Sequence, residues 1–136
     1  MSTEYRFSFG PWNISEGADP FGPPVRPTIE FSKKLASYKK LGFEGVQFHD
    51  DDAVPDVDSK SAAELERAAK ELKKVLDGEG LVPEFVAPRL WEDPRGIDGG
   101  FTANCPDVRK WAIDRTKRAV DIASYLGTNL MVLWLA

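Results

Sequence analysis

The chain has 136 residues with 42% hydrophobic, 29% charged and 11% aromatic side chains, enough apolar mass to bury a core and to exclude a disordered tail. At this length the expectation is one domain, residues 1–136, burying roughly two thirds of the surface the unfolded chain exposes. Eighteen Lys+Arg against twenty-two Asp+Glu give a net charge of −4, so no phosphate-tracking surface and no nucleic-acid partner are expected.

The longest apolar run, residues 130–136, falls far short of the ~20 residues that span a bilayer. The polar start Met1-Ser2-Thr3-Glu4 lacks the charged and apolar regions of a signal peptide. A cytoplasmic protein with no membrane partner is expected, and the single cysteine, Cys105, agrees with a reducing compartment.

In chain order, a β-like run over residues 6–12 is followed by a Gly- and Pro-rich loop to Pro27. Pro27 and Thr28 open a helical pattern with Phe31, Leu35, Tyr38 and Leu41 on one face and Gly42 as its stop. Residues 45–49 form a second strand. Ser61 with Glu64 three residues on is a capping box, opening a helix that carries Leu65, Leu72, Val75 and Leu76 to a stop near Gly78. Residues 81–87 give a third strand, and Pro83 predicts that it is bulged or begins late. A third helix begins near Asn104 and Pro106, presents Val108, Trp111, Ala112, Ala119, Ile122 and Leu126 to the core, and ends at Gly127. Residues 130–136 supply a fourth strand.

Alternating strand and helix predict an α/β fold with a parallel sheet. Leu41-Gly42-Phe43-Glu44-Gly45-Val46-Gln47-Phe48-His49 aligns without gaps on Leu126-Gly127-Thr128-Asn129-Leu130-Met131-Val132-Leu133-Trp134, so His49 and Trp134 occupy equivalent strand ends. All strand ends would then share the rim where ligands bind in barrels and in open α/β sheets. A small doubly wound domain and the first half of a barrel both satisfy the pattern.

The rim carries the chemistry. His49 is the only histidine, and Asp52, three residues on, is close enough for a turn to bring its carboxylate to one ring nitrogen. The competing reading is a satisfied or surface imidazole, with Asp50, Asp51, Asp52, Asp56 and Asp58 forming a solvated loop or a weak cation site. Trp12, Trp91 and Trp134 near one rim suggest a pocket whose apolar walls stack on sugar faces, or else the top layer of the core. Phe21 is either an anchor on its own domain or a contact with a neighbouring subunit, and Trp111, on the helical stripe, reads as core. No GxGxxG, CxxC or HExxH occurs.

Phe7-Ser8-Phe9-Gly10-Pro11-Trp12, Asp19-Pro20-Phe21-Gly22, Gly45-Val46-Gln47-Phe48-His49-Asp50-Asp51-Asp52, Asp98-Gly99-Gly100-Phe101-Thr102-Ala103-Asn104 and Leu133-Trp134 together resemble the D-xylose isomerase family, metal-dependent aldose–ketose isomerases with a TIM-barrel fold. The resemblance implies the N-terminal half of a (β/α)8 barrel, four parallel strands with three crossover helices, cut after the fourth strand. It makes His49 the residue that assists opening of the cyclic sugar and Asp52 the one that orients it. Trp12, Trp91 and Trp134 would line the substrate pocket, and Phe21 would reach an adjacent subunit. It further implies a small-molecule sugar substrate (D-xylose and D-xylulose), a homo-oligomer, and Mg²⁺ or Mn²⁺ as cofactor.

The family's metal ligands arrive from later strands, and no residue here matches them. The expectation is therefore a chain inactive as a monomer, with edge strands left open to self-association. Trp91 stands where the family has phenylalanine, Ala87-Pro88-Arg89 replaces threonine-threonine-asparagine, and the loop from Trp12 to Phe21 is one residue shorter. Two other classes stay open. One is a non-catalytic self-associating or sugar-binding half-barrel. The other is a different TIM-barrel enzyme, acting on sugars or phosphate esters; a phosphate ester would want basic contacts on the rim, and only Arg89 and Arg95 lie near the strand ends.

Overall fold

The computed structural model describes residues 5–13, 26–27 and 29–135. Three parallel strands, β1 (Ser8–Phe9), β2 (Gly45–His49) and β3 (Val82–Ala87), form one sheet in the order β1-β2-β3. Helix α1 (Phe31–Lys40) follows β1, the short α2 (Asp50–Ala53) and long α3 (Ala62–Glu79) follow β2, and α4 (Pro106–Leu126) follows β3. Val46 and Phe48 of β2 are fully buried and pack with Leu35, Tyr38, Leu65, Leu76, Val86, Ile122 and Leu126, so the core lies between the sheet and its helices. Gly45, Gln47 and His49 alternate with them on the opposite, half-open face.

The helix ends follow from local chemistry. In α3 the Ser61 amide donates to Glu64 Oε2 at 2.8 Å and the Glu64 amide to Ser61 Oγ at 3.3 Å, the reciprocal cap its sequence predicts. The Leu-Gly stops work alike in both repeats. Gly42 and Gly127 take left-handed φ values of 88° and 83°, and Phe43 N–H to Tyr38 C=O (3.2 Å) is matched by Thr128 N–H to Ala123 C=O (3.0 Å). Helix α3 runs past Gly78, because the left-handed turn falls at Gly80 (φ 65°), where Leu81 N–H closes onto Leu76 C=O.

Several expectations change. The fourth strand reduces to one parallel bridge, Val86 to Met131, with Val86 N–H donating to Leu130 C=O and Val132 N–H to Val86 C=O. With ladder partners on one side only, residues 132–135 do not extend the sheet, and Leu133, Trp134 and Leu135 are at least half exposed. The first strand is two residues long, since Pro11–Asn13 turns into a 3-10 helix and Pro11 has no N–H for the ladder. Strand β3 keeps Pro83 opposite Val46 and absorbs it in a register shift between Val46 and Phe48. Helix α1 begins at Phe31, beyond Pro27, and Thr28 lies outside the described residues. Leu41 and Val75 are exposed. Trp111 is only half-buried, because its Nε1 donates to Asp58 Oδ2 at 2.9 Å and its ring carries the Arg95 guanidinium at 4.3 Å. Among the described residues no helix is long and apolar enough to cross a membrane.

Candidate functional site

The C-terminal ends of the strands converge on a cavity of about 430 Å³ lined by Trp12, Gln47, His49, Arg89, Trp91 and Trp134, with Phe85, Ala87, Glu92 and Val132 completing it. His49 ends β2, and its ring lies between two tryptophans. The Trp12 ring centroid is 4.3 Å away and tilted, and that of Trp91 is 5.2 Å away and edge-on. Trp12 reaches this place because residue 10 is glycine: a Cβ there would fall 2.1 Å from the Trp12 ring. Trp91 and Trp134 are 36% and 61% exposed, so the cavity is open on their side. Phe21 lies outside the described residues.

Asp52 stands behind His49 as its spacing predicts. Its Oδ2 is 2.9 Å from His49 Nδ1 and accepts the His49 backbone N–H at 3.1 Å, which caps helix α2. Burial pushes the Asp52 carboxyl up, but the His49 hydrogen bonds and the Arg89 charge outweigh it and hold the group below the usual carboxylate range. Asp51 goes the other way: burial raises it, and the carboxylates of Asp50 and Asp52 add to the rise against the pull of Arg89.

The three aspartates are not a solvated loop. Asp50 is fully buried and joins three elements: its carboxylate accepts from Arg115 Nε at 2.7 Å and Nη2 at 3.0 Å, and from the Arg89 and Asp51 backbone N–H groups at 3.0 Å. Asp58 accepts from Arg95 Nη2 at 2.7 Å and from Trp111. Sequence reasoning missed Arg115, although the signal was present. It falls between Ala112 and Ala119 on the buried stripe of α4, where a cation requires an anion facing it.

Arg89 is the other residue whose role the sequence left open. Its Nη2 lies 2.7 Å from His49 Nδ1 and donates to Asp52 Oδ1 at 2.8 Å, and its Nη1 donates to Glu92 at 3.1 Å. Its Nε sits 2.9 Å from Asp51 Oδ1, an ion contact in which neither atom has a directed hydrogen bond. Burial opposes the Arg89 charge, and Asp52, Asp51 and Glu92 more than offset it.

Among the described residues no group of three or more His, Cys, Asp or Glu side chains is arranged to hold a metal ion. Asp51 and Asp52 already face the Arg89 cation and Asp50 the Arg115 cation, so these carboxylates do not fit a divalent ion as placed. The Asp98-Gly99-Gly100-Phe101-Thr102-Ala103-Asn104 segment closes on itself, with Asp98 Oδ2 accepting from the Asn104 N–H at 3.1 Å and Gly99 at φ 108°. Gly99, Gly100 and Phe101 share a smaller cavity with Trp91 and Trp134.

No protein-family model matches the chain. Its fold is similar to that of a solved D-psicose 3-epimerase, crystallised in the presence of D-fructose, with a TM-score of 0.53 and 16% sequence identity. The match covers 79% of this chain and 32% of the epimerase, so the chain spans about a third of that enzyme's length. The shared architecture is that of a partial (β/α)8 barrel.

Proposed function

We propose that the rim cavity binds a neutral monosaccharide, and that the chain carries the sugar-holding part of an aldose–ketose isomerase or epimerase site. The observation that carries this reading is the His49 ring held between Trp12 and Trp91 inside a cavity large enough for one sugar ring. Indole faces cover the carbon faces of a sugar and exclude water, while the His49 ring and the amide oxygen of Gln47, whose Nε2 donates to Ser8 and Glu84, offer polar groups to its hydroxyls. The fold shared with a ketose epimerase and the resemblance to the D-xylose isomerase family both favour sugar chemistry, with D-xylose and D-xylulose as the finer expectation.

A phosphorylated substrate is the weaker reading. Arg89 faces three carboxylates and Arg95 is tied to Asp58 and Asp93, so neither basic side chain has charge to spare for an anion. The Mg²⁺ or Mn²⁺ that the resemblance implies finds no ligand set among the described residues. His49 would sit at the ring and exchange a proton with a sugar oxygen. A binding module without turnover is favoured by the engagement of all three aspartates in ion pairs.

Titration of the tryptophan fluorescence with D-xylose, D-fructose and D-psicose tests the reading, run beside an assay of aldose–ketose interconversion with and without Mg²⁺ or Mn²⁺. Saturable quenching in the millimolar range that W91A abolishes is expected, and turnover would extend the reading to catalysis. No saturable response to any of the three sugars overturns it.

A further inference from the structure

We infer that Ser8 and Glu84 are positioning residues that hold the Gln47 carboxamide with its nitrogen turned from the rim cavity and its oxygen toward it, so that the cavity selects a ligand carrying a hydroxyl donor for that oxygen. The three residues come from three neighbouring strands and share the half-open face of the sheet. Ser8 of β1 pairs with Gly45 of β2, two residues before Gln47, and a Cβ at position 45 would fall 2.9 Å from the Ser8 Cβ, so the glycine leaves Ser8 its place. The register shift in β3 sets Glu84 and Phe85 together opposite Gln47, which sends Phe85 to the cavity wall and Glu84 to the network beneath it.

Every donor in this network meets an acceptor. Gln47 Nε2 donates to Glu84 Oε2 at 2.9 Å and to Ser8 Oγ at 3.0 Å, and the Ser8 hydroxyl donates to Glu84 Oε2. The hydrogen bonds from Ser8 and Gln47 hold the Glu84 carboxyl below the usual carboxylate range, so at neutral pH it is ionised and only accepts. Ser8 has one hydroxyl proton and gives it to Glu84, so toward Gln47 its oxygen only accepts as well. Both neighbours therefore call for N–H, and the reversed amide would set its oxygen against a carboxylate. Ser8 and Glu84 line a separate cleft of about 210 Å³, whereas Gln47 lines the rim cavity, and among the described residues no hydrogen bond uses its Oε1.

The consequence for a ligand rests on the proposed sugar-binding reading. An amide oxygen fixed at the cavity accepts and has nothing to donate, so it takes a free hydroxyl and gains nothing from an ether oxygen or a fluorine. A sugar without the matching hydroxyl loses that hydrogen bond and leaves the desolvated oxygen unpaired.

The protein has one glutamine, so a sample labelled with ¹⁵N at the glutamine side chain shows one NH₂ pair. Nuclear Overhauser contacts from that pair to the Ser8 and Glu84 side chains are expected, and a pair without either contact overturns the orientation. Binding of D-xylose is then compared with that of its analogues fluorinated in place of the 2-, 3- or 4-hydroxyl, since fluorine is of similar size and donates nothing. The wild type is expected to bind at least one analogue about three- to tenfold more weakly than D-xylose. In E84L, which frees the amide to turn, that ratio should fall toward one, whereas a merely structural Glu84 would weaken the four sugars alike. Equal binding of all four by the wild type overturns the selection, as does an E84L protein with native circular dichroism that keeps the ratio. Should E84L fail to fold, Q47L takes its place: loss of the ratio supports the inference and its retention overturns it. If none of the four sugars binds, the sugar reading fails while the orientation of Gln47 is judged on its own spectrum.

Discussion

The Asp50–Arg115 pair is expected to be the costliest polar contact to break. Asp50 is 0% exposed and Arg115 7%, and two N–H···O bonds of 2.7 and 3.0 Å join them. In D50A the guanidinium keeps only longer contacts, to Asp51 at 3.4 Å and Asp58 at 3.6 Å, and the backbone N–H groups of Asp51 and Arg89 lose their acceptor. Removing one partner of a buried pair costs about 3–5 kcal/mol, and the residual carboxylates soften this while the orphaned amides add to it, so about 4 kcal/mol is expected. That is a large share of the ~5–15 kcal/mol that holds a domain folded. R115M should cost a similar amount, and the double variant well under the sum, with a coupling of about 2–3 kcal/mol. Urea unfolding followed by tryptophan fluorescence measures all three. A D50A cost below about 1 kcal/mol, or a coupling near zero, would refute the view that this pair pins α4 to the ends of β2 and β3.

Tyr38 is buried with its hydroxyl unpartnered, and burial pushes the phenol up to about 12 from 10.0. Its contribution is present below the unfolded value near 10 and is lost as pH rises toward 12, so stability should drop by about 2–3 kcal/mol over that range. Y38F should remove the alkaline slope and be neutral or stabilising at pH 7; a wild-type curve that is flat up to pH 12 would count against this. At the acid end, hydrogen bonds from Arg95 hold Asp93 down to about 2 from 3.8, so its contribution is complete above the unfolded value and is lost as pH falls through the folded one. The urea midpoint should fall over that window, and D93N should flatten the fall. G10A should displace the Trp12 ring from His49 and weaken sugar quenching with little change in the unfolding midpoint, whereas unaltered quenching would show that the glycine is dispensable. The exposed Leu133, Trp134 and Leu135 beside a one-sided bridge predict association of two copies of the chain; a monodisperse 15 kDa species in light scattering at all concentrations would exclude it.

The capping box of α3 and the Leu-Gly stops of α1 and α4 were legible in the sequence, because local bonds make them. Ser61 with Glu64 and the two Leu-Gly stops depend on residues within one turn of each other. The pairing of His49 with Asp52 was legible for the same reason, and the alternation of strands with helices placed the tryptophans at one rim. Strand extent was not legible, because a ladder requires a neighbour. The apolar run after Gly127 has the composition of a strand and finds backbone partners at Val86 alone. The fate of Asp50, Asp51 and Asp52 was also beyond the sequence, since charge runs usually face water. Only tertiary structure brings Arg115 from 65 positions away and Arg89 from 39 positions away, turning an acidic triplet into a buried anchor and the support behind His49. Composition and periodicity locate the three long helices and the first three strands; which distant cation meets each carboxylate behind the rim is decided by the fold.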